Sequence, residues 1–156
     1  MTYDLAIIGG GPAAVAVGVY AARKQIKTIF ITKNFGGQSV VSDDIQNWVG
    51  TVSISGTKLA ENLKKHLEAY ADGAVDIKVG ELAEKVEKSK TGFSVKTDKG
   101  KYEAKTILVA TGSGRRKLVV PGAEKFENKG ITYCASCDGP MFSGQKVAVI
   151  GGGNAG

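Results

Sequence analysis

Two cysteines three positions apart, Cys134-Ala135-Ser136-Cys137, followed at once by the carboxylate of Asp138, form the most reactive grouping in the sequence. Thiols at this spacing can close a disulfide, and local positive charge or a helix N-terminus lowers the pKa of one of them. The thiolate is the attacking species in thiol–disulfide exchange, so an acid–base group must handle protons nearby. Asp138 is the only adjacent carboxylate, and the lone histidine, His66, lies far off in sequence. Three readings compete: a redox pair, half of a metal site, and two inert core thiols. Structural zinc takes four Cys or His ligands, and 2 cysteines with 1 histidine fall short, so no metal site is assigned. A bridge across so short a loop constrains the unfolded chain little. Redox use is the favoured reading.

Glycine supplies the second set of candidates. The chain has 22 among 156 residues, clustered at Gly9-Gly10-Gly11, Gly36-Gly37, Gly112 with Gly114, and Gly151-Gly152-Gly153. Separate clusters exclude a flexible tail and point to tight turns or close backbone approach to a ligand. Gly9-x-Gly11-x-x-Ala14 fits the dinucleotide pattern. There Gly9 allows the turn, Gly11 lets a pyrophosphate reach the backbone, and Ala14 lets helix and strand pack closely. Pro12 and Ala13 open the helix, and a proline is tolerated where its missing N–H has no helical partner. Free amides at the helix start suit phosphate. The pattern expects an acidic residue about twenty positions on to hold ribose hydroxyls. Instead the second strand ends Ile31-Thr32-Lys33-Asn34, which disfavours a simple NAD site and leaves Thr32 as the hydrogen-bonding side chain. A second motif, Gly151-x-Gly153-Asn154-x-Gly156, follows another apolar stretch. Two such motifs imply two dinucleotides, as when a flavin relays electrons from a nicotinamide.

These groups need elements to position them. Residues 4–8 read as a buried strand, 13–25 as an Ala/Val-rich helix and 28–32 as a second strand, one βαβ unit. Residues 34–56 have no regular period and hold Gly36-Gly37-Gln38 and Asn47-Trp48-Val49-Gly50. So long a loop in a compact domain is usually functional, and Trp48 reads equally as core filler or cofactor contact. Residues 57–70 form an amphipathic helix with Leu59, Leu63, Leu67 and Tyr70 on one face and His66 at its boundary. A strand is expected at 75–79. Residues 81–104 read as a β-meander, with Phe93, Val95 and Thr97 alternating before the turn Asp98-Lys99-Gly100, and Tyr102 after it. Residues 106–110 form an apolar strand running into Thr111-Gly112, and 146–150 form another. The expected class is α/β: a Rossmann-like dinucleotide-binding fold with an inserted meander over residues 1–118, then the start of a second Rossmann-like domain over 119–156.

The formal charge is +6 and the pI near 9.3, but the lysines are scattered and the densest basic run, Arg115-Arg116-Lys117, has no interleaved aromatics. Nucleic-acid binding is disfavoured on that pattern, and a solvated basic surface that favours anionic ligands is expected. The N-terminus has no positive region or cleavage context, and nothing approaches the roughly 18 apolar residues of a membrane span. A cytoplasmic protein with no membrane partner is expected.

Taken together and in order, residues 9–14, Gly36-Gly37-Gln38, Asn47-Trp48-Val49-Gly50, Ala110-Thr111-Gly112, Pro121-Gly122, 134–139 and 146–156 carry a resemblance. The chain resembles the N-terminal half of the low-molecular-weight bacterial thioredoxin reductases. The resemblance implies FAD in the first unit, with Gly9, Gly11 and Ala14 on its pyrophosphate. Gly37, Gln38 and Asn47 would lie by the flavin and ribityl portion, and Thr111-Gly112 would line the cofactor's path. It implies NADPH as donor, with NADH left open, and a thioredoxin-like disulfide protein as acceptor. Cys137 would face the flavin, Cys134 would exchange with the partner, and Asp138 would be the general acid/base. The full-length protein would be a homodimer whose nicotinamide domain rotates, with 119–121 as the first crossing between domains. Ala14 stands where a third glycine is common, Val49 where a proline is typical, and Asn154-Ala155-Gly156 where acidic and small residues are commoner. Family members are longer, so this segment alone is expected to be inactive. Two alternatives accompany this expectation. One is a flavin-dependent dithiol oxidoreductase with another donor. The other is a non-enzymatic FAD-binding piece completed by a second polypeptide, suggested by a glycine motif that reaches the last residue.

Overall fold

Alternation along two strands builds two cores. From β1 (Thr2–Ile8), Ile7 points to one face of the sheet while Ala6 and Ile8 point to the other. From β2 (Thr28–Thr32), Phe30 joins Ile7, and Ile29 and Ile31 join Ala6 and Ile8. The first face is covered by Val15 and Val19 of α1 (Pro12–Arg23) and Leu67 of α2 (Gly56–Ala71). The second is covered by Val95 and Ala104. Each fully buried side chain of this size contributes about 1.5–3 kcal/mol, so both faces of the strands must stay covered.

The computed structural model describes residues 1–114, 116–127 and 129–153, apart from the side chains of Ser136 and Cys137. The chain divides into two compact units, Met1–Ser113 and Gly114–Gly156. In the first, β3 (Val75–Val79), β4 (Ala83–Ser89), β5 (Gly92–Thr97) and β6 (Lys101–Val109) complete a six-stranded mixed sheet of order β3-β2-β1-β6-β5-β4. Strands β3, β2, β1 and β6 are parallel, and β6, β5 and β4 are antiparallel. This is a single Rossmann-like domain with a mixed-sheet insertion.

The meander and the strand at 106–110, expected as separate elements, share one long strand. Ala104 of β6 pairs with Phe93 of β5 and with Tyr3 of β1, so the same backbone closes the meander and enters the parallel sheet. Helix α2 starts where Ser55 caps it, its hydroxyl accepting from the Lys58 amide at 3.3 Å. Leu59 and Leu67 are buried as expected. Tyr70 does not lie on the buried face and His66 is not at its boundary: both are exposed, with their rings 5.7 Å apart and Arg23 over Tyr70. The loop between β2 and α2 has local order: a 3-10 turn at Gly37–Val41, and a bridge from Ile45 to Ile54. Asp44 accepts from Ser53 and Gln46, each at 2.6 Å, and these bonds, Ser53's first, hold its carboxyl below the usual carboxylate range.

The second unit holds two short helices, α3 (Ala123–Phe126) and α4 (Ala135–Asp138), and a 3-10 turn at Gly139–Phe142. Lys117 and Glu127 pair at 2.7 Å, and the Leu118 amide donates to the Tyr133 hydroxyl at 3.0 Å. The expected strand at 146–150 is not formed: the segment is irregular, with Val147, Val149 and Ile150 largely exposed. A parallel strand needs a neighbour for its hydrogen bonds, and no described segment pairs with it. The start of a second Rossmann-like domain is therefore absent from the described residues. Among them, no helix is long and apolar enough to cross a membrane.

Candidate functional site

Strands β2, β1 and β6 are parallel and end side by side, so the loops that follow them share one edge. The chain leaves β1 for β2 and β3 on one side and returns to β6 on the other. In open α/β sheets, ligands bind outside the carboxyl ends of the strands at such a reversal.

The glycine run occupies this place, and its three members do different work. Gly9 has φ +129°, and a Cβ on it would lie 2.1 Å from the Ala110 carbonyl oxygen and 3.3 Å from the Thr111 nitrogen. Its amide donates to Ile31, while the Ala110 amide donates to Ile8, which locks the turn to both neighbouring strands. Gly10 is wedged against β2: a Cβ there would lie 2.1 Å from Thr32 Oγ1 and 2.2 Å from the Asn34 carbonyl oxygen. The Gly10 carbonyl accepts from the Gly36 amide at 2.8 Å. Gly11 has ordinary extended backbone, φ −80° and ψ −178°, and a Cβ on it would meet nothing nearer than Gly37 Cα at 4.0 Å. The protein's own packing demands the first two glycines. Around Gly11 the space is open, and a Cβ on Gly37 would intrude on it, reaching 3.3 Å from Gly11 Cα.

Helix α1 begins at that opening. Gly11 is its N-cap, no side chain caps it, and no acidic residue sits in its first turn. The amides of Ala13 and Ala14 have no acceptor one turn earlier. That of Val15 is the first to bond, to the Gly11 carbonyl at 3.1 Å. The helix end thus presents donors and partial positive charge to an open cradle, which suits a pyrophosphate. The residues present fit a dinucleotide.

Gly9, Gly11, Pro12, Ala13, Ala14, Thr32, Gly37 and Thr111 all come to this edge. Ala14 is fully buried and serves helix–strand packing. Thr32 is buried, its hydroxyl donating to the Asn34 carbonyl at 2.6 Å, so only its lone pairs remain for a ligand. Gln38 is exposed in the 3-10 turn, and Thr111 and Gly112 are exposed beyond β6. Asn47 is exposed on the lobe closed by Ile45 and Ile54, and Trp48 beside it is half-buried. Gly10 and Gly36 hold the loop together but were not expected as site residues. The pattern marks only alternate glycines, and the third glycine inside Gly9-Gly10-Gly11 was the available signal.

In the second unit, Cys134 immediately precedes α4 and is half-buried. Its carbonyl accepts from the Asp138 amide at 2.9 Å, and its amide donates to Thr132 Oγ1 at 3.4 Å. Thr132 in turn donates its hydroxyl to the Asp138 carboxylate, so one threonine links the cysteine's backbone to the neighbouring acid. Sequence reading missed Thr132; its place two residues before Cys134 is a usual one for a local hydroxyl bond. Cys137 lies within α4, and its side chain is outside the described residues. Gly151 and Gly153 are exposed with nothing near their Cβ positions, and Asn154 and Gly156 lie outside the described residues.

The family model for pyridine nucleotide-disulphide oxidoreductases matches residues 3–156. The NADH dehydrogenase of Bacillus subtilis (strain 168) is 39% identical over 155 residues, 99% of this chain and 30% of that protein. In Staphylococcus aureus (strain NCTC 8325 / PS 47), one component of alkyl hydroperoxide reductase matches at 39% identity over the same shares. The solved thioredoxin reductase from Streptococcus pyogenes MGAS5005 aligns with a TM-score of 0.78 at 38% identity, covering 90% of this chain and 45% of that one. The chain therefore spans 30% of the length of the curated relatives it matches.

Proposed function

The chain belongs to the pyridine nucleotide-disulphide oxidoreductase family, as an FAD-binding domain closely related to low-molecular-weight thioredoxin reductases, and on that premise we propose that the complete protein is an FAD-dependent thioredoxin-disulfide reductase that draws its electrons from NADPH. When bound, FAD supplies the conversion of a nicotinamide hydride into an electron pair deliverable to a disulfide. The observation that carries the reading is the open space over Gly11, bounded by Gly37 and by the uncapped start of α1.

In this reading the Ala13 and Ala14 amides carry the pyrophosphate, and Gly9, Gly11 and Gly37 keep its approach clear. Thr32 offers lone pairs to the ribose side, Gln38 and Asn47 serve the flavin and ribityl portion, and Thr111-Gly112 flank the path beyond β6. Residues 1–118 form the flavin part. Residues 119–156, whose described part forms no strand, contribute Gly151, Gly153, Asn154 and Gly156 to nicotinamide binding in the complete protein.

Cys134, as thiolate, attacks the disulfide of a thioredoxin-like protein, forming a mixed disulfide and releasing one partner thiolate. Cys137 then displaces the second partner thiolate and closes the Cys134–Cys137 disulfide. Asp138 supplies protons to the departing thiolates, and Thr132 fixes its carboxylate. The partner gains two electrons and two protons while the dithiol loses them. The protein acts in the cytoplasm as a homodimer, and the segment by itself has no turnover.

A second reading, NADH as donor, is favoured by the name of the Bacillus subtilis relative. Reduction of a thioredoxin-like protein by the full-length protein, followed with NADPH and with NADH, tests both readings. Faster turnover with NADPH supports the first, preference for NADH supports the second, and no reduction with either refutes the function.

A further inference from the structure

Glu81 is a carboxylate buried to 5% exposure within the first unit, and no residue of the site uses it. Among the described residues it has no ion-pair partner. Burying a charged carboxylate is costly unless hydrogen bonds compensate. Here Thr97 donates its hydroxyl to one carboxylate oxygen, and Tyr102 donates to the other at 3.1 Å. Thr97 Oγ1 is itself held by the Gly100 amide at 2.8 Å and the Lys99 amide at 3.2 Å. The adjoining residue is tied as well: the Leu82 amide donates to Asp98 Oδ1 at 2.8 Å, and the Asp98 amide donates to the Leu82 carbonyl at 3.0 Å. The turn between β5 and β6 therefore clasps residues 81 and 82.

The backbone of the same residue leads to the glycine loop. The Glu81 amide donates to the Thr32 carbonyl, and the Gly80 amide to the Lys33 carbonyl, each at 3.2 Å. Thr32 is the residue whose Oγ1 occupies the place of a Gly10 side chain and grips the Asn34 carbonyl. One residue thus ends a polar clasp on its side chain and begins a path on its backbone: the Glu81 amide bonds to Thr32, Thr32 Oγ1 packs against Gly10, and Gly10 accepts from Gly36. A carboxylate that takes two hydroxyls in fixed directions also fixes where its own peptide sits.

We propose that Glu81, held by Thr97 and Tyr102, is a positioning residue for the glycine loop, setting the peptide of Thr32, whose side chain packs against Gly10. That this loop receives a dinucleotide rests on the function proposed above; the clasp's grip on the loop does not.

Amide hydrogen exchange on the full-length protein tests this, comparing Glu81→Gln with Val95→Ala. The valine is fully buried in the same insertion and pairs with Tyr102 across β5 and β6, so its truncation lowers stability there while removing none of the hydrogen bonds of Glu81. The Gly36 amide, bonded to Gly10, should exchange about tenfold faster in Glu81→Gln than in Val95→Ala at matched melting temperature. The Ala110 amide, on the other side of β1, should be alike in both. Thr97→Val serves as a second variant if Glu81→Gln does not fold, with the same shift expected. Equal exchange at Gly36 in the clasp and control variants overturns the proposal. FAD affinity, measured on the same proteins, should fall in the clasp variants alone, and an unchanged affinity also overturns it. Wild-type protein that binds no FAD refutes the proposed function, while exchange at Gly36 still decides the clasp.

Discussion

The carbonyl oxygen of Ala110 lies where a side chain on Gly9 would have to be: a Cβ built there comes to 2.1 Å from it. Gly11, two residues on, has a free Cβ position in unstrained backbone. Gly9→Ala and Gly11→Ala should therefore separate folding from binding. Gly9→Ala adds strain of about 1–3 kcal/mol at a positive φ, besides moving β6, and lowers the melting temperature of the FAD-free protein. Gly11→Ala should leave that temperature unchanged and weaken FAD binding at least as much. Calorimetry paired with flavin-fluorescence titration checks both.

Cys134→Ser and Cys137→Ser in the full-length protein should each bring reduction of a thioredoxin-like disulfide down to background. Nicotinamide-dependent bleaching of the flavin should persist in both. Stopped-flow absorbance under anaerobic conditions reads the two events separately, and either serine variant that still reduces the partner contradicts the dithiol assignment.

Asp138 is held by Thr132, and the pair should act together. Asp138→Asn should slow disulfide exchange with the partner by about 10²–10⁴-fold, the usual contribution of a positioned acid or base. Thr132→Val should slow it less, because the carboxylate remains and loses only its hydrogen bond. Single-turnover mixing of the prereduced protein with its partner measures both.

Stability should fall at high pH through Tyr3. Burial, aided by its hydrogen bond to Asp76 at 2.6 Å, pushes the phenol from 10.0 up to about 12. The unfolded chain loses this proton near the ordinary value and the folded chain about two units higher. The contribution is whole below pH 10, is lost as pH rises from about 10 to 12, and then levels off. Melting temperature against pH should show this slope, and Tyr3→Phe should flatten it.

Local chemistry made most of this architecture legible. The first βαβ unit reads directly from an apolar run, a glycine turn with Pro12, and a second apolar run. Helix α2 reads from the spacing of Leu59, Leu63 and Leu67. Long-range pairing was harder to foresee. Nothing near Ala104 says that it will face Phe93 on one side and Tyr3 on the other, so one strand read as two. Residues 146–150 have strand composition but no described neighbour to pair with, and composition cannot supply one. In the site, the glycine spacing marked the phosphate cradle. The partners of Glu81 lie 16 and 21 residues away, beyond the reach of any local pattern.

The central claim is that electrons reach the Cys134–Cys137 pair from a flavin bound at the first glycine loop. Anaerobic reductive titration of the full-length, FAD-loaded protein tests it most directly. Uptake of one electron pair for the flavin and a further pair for the disulfide, with the second lost in Cys137→Ser, is the predicted result. A protein that takes up no FAD, or that accepts the same number of electrons with and without Cys137, would contradict it.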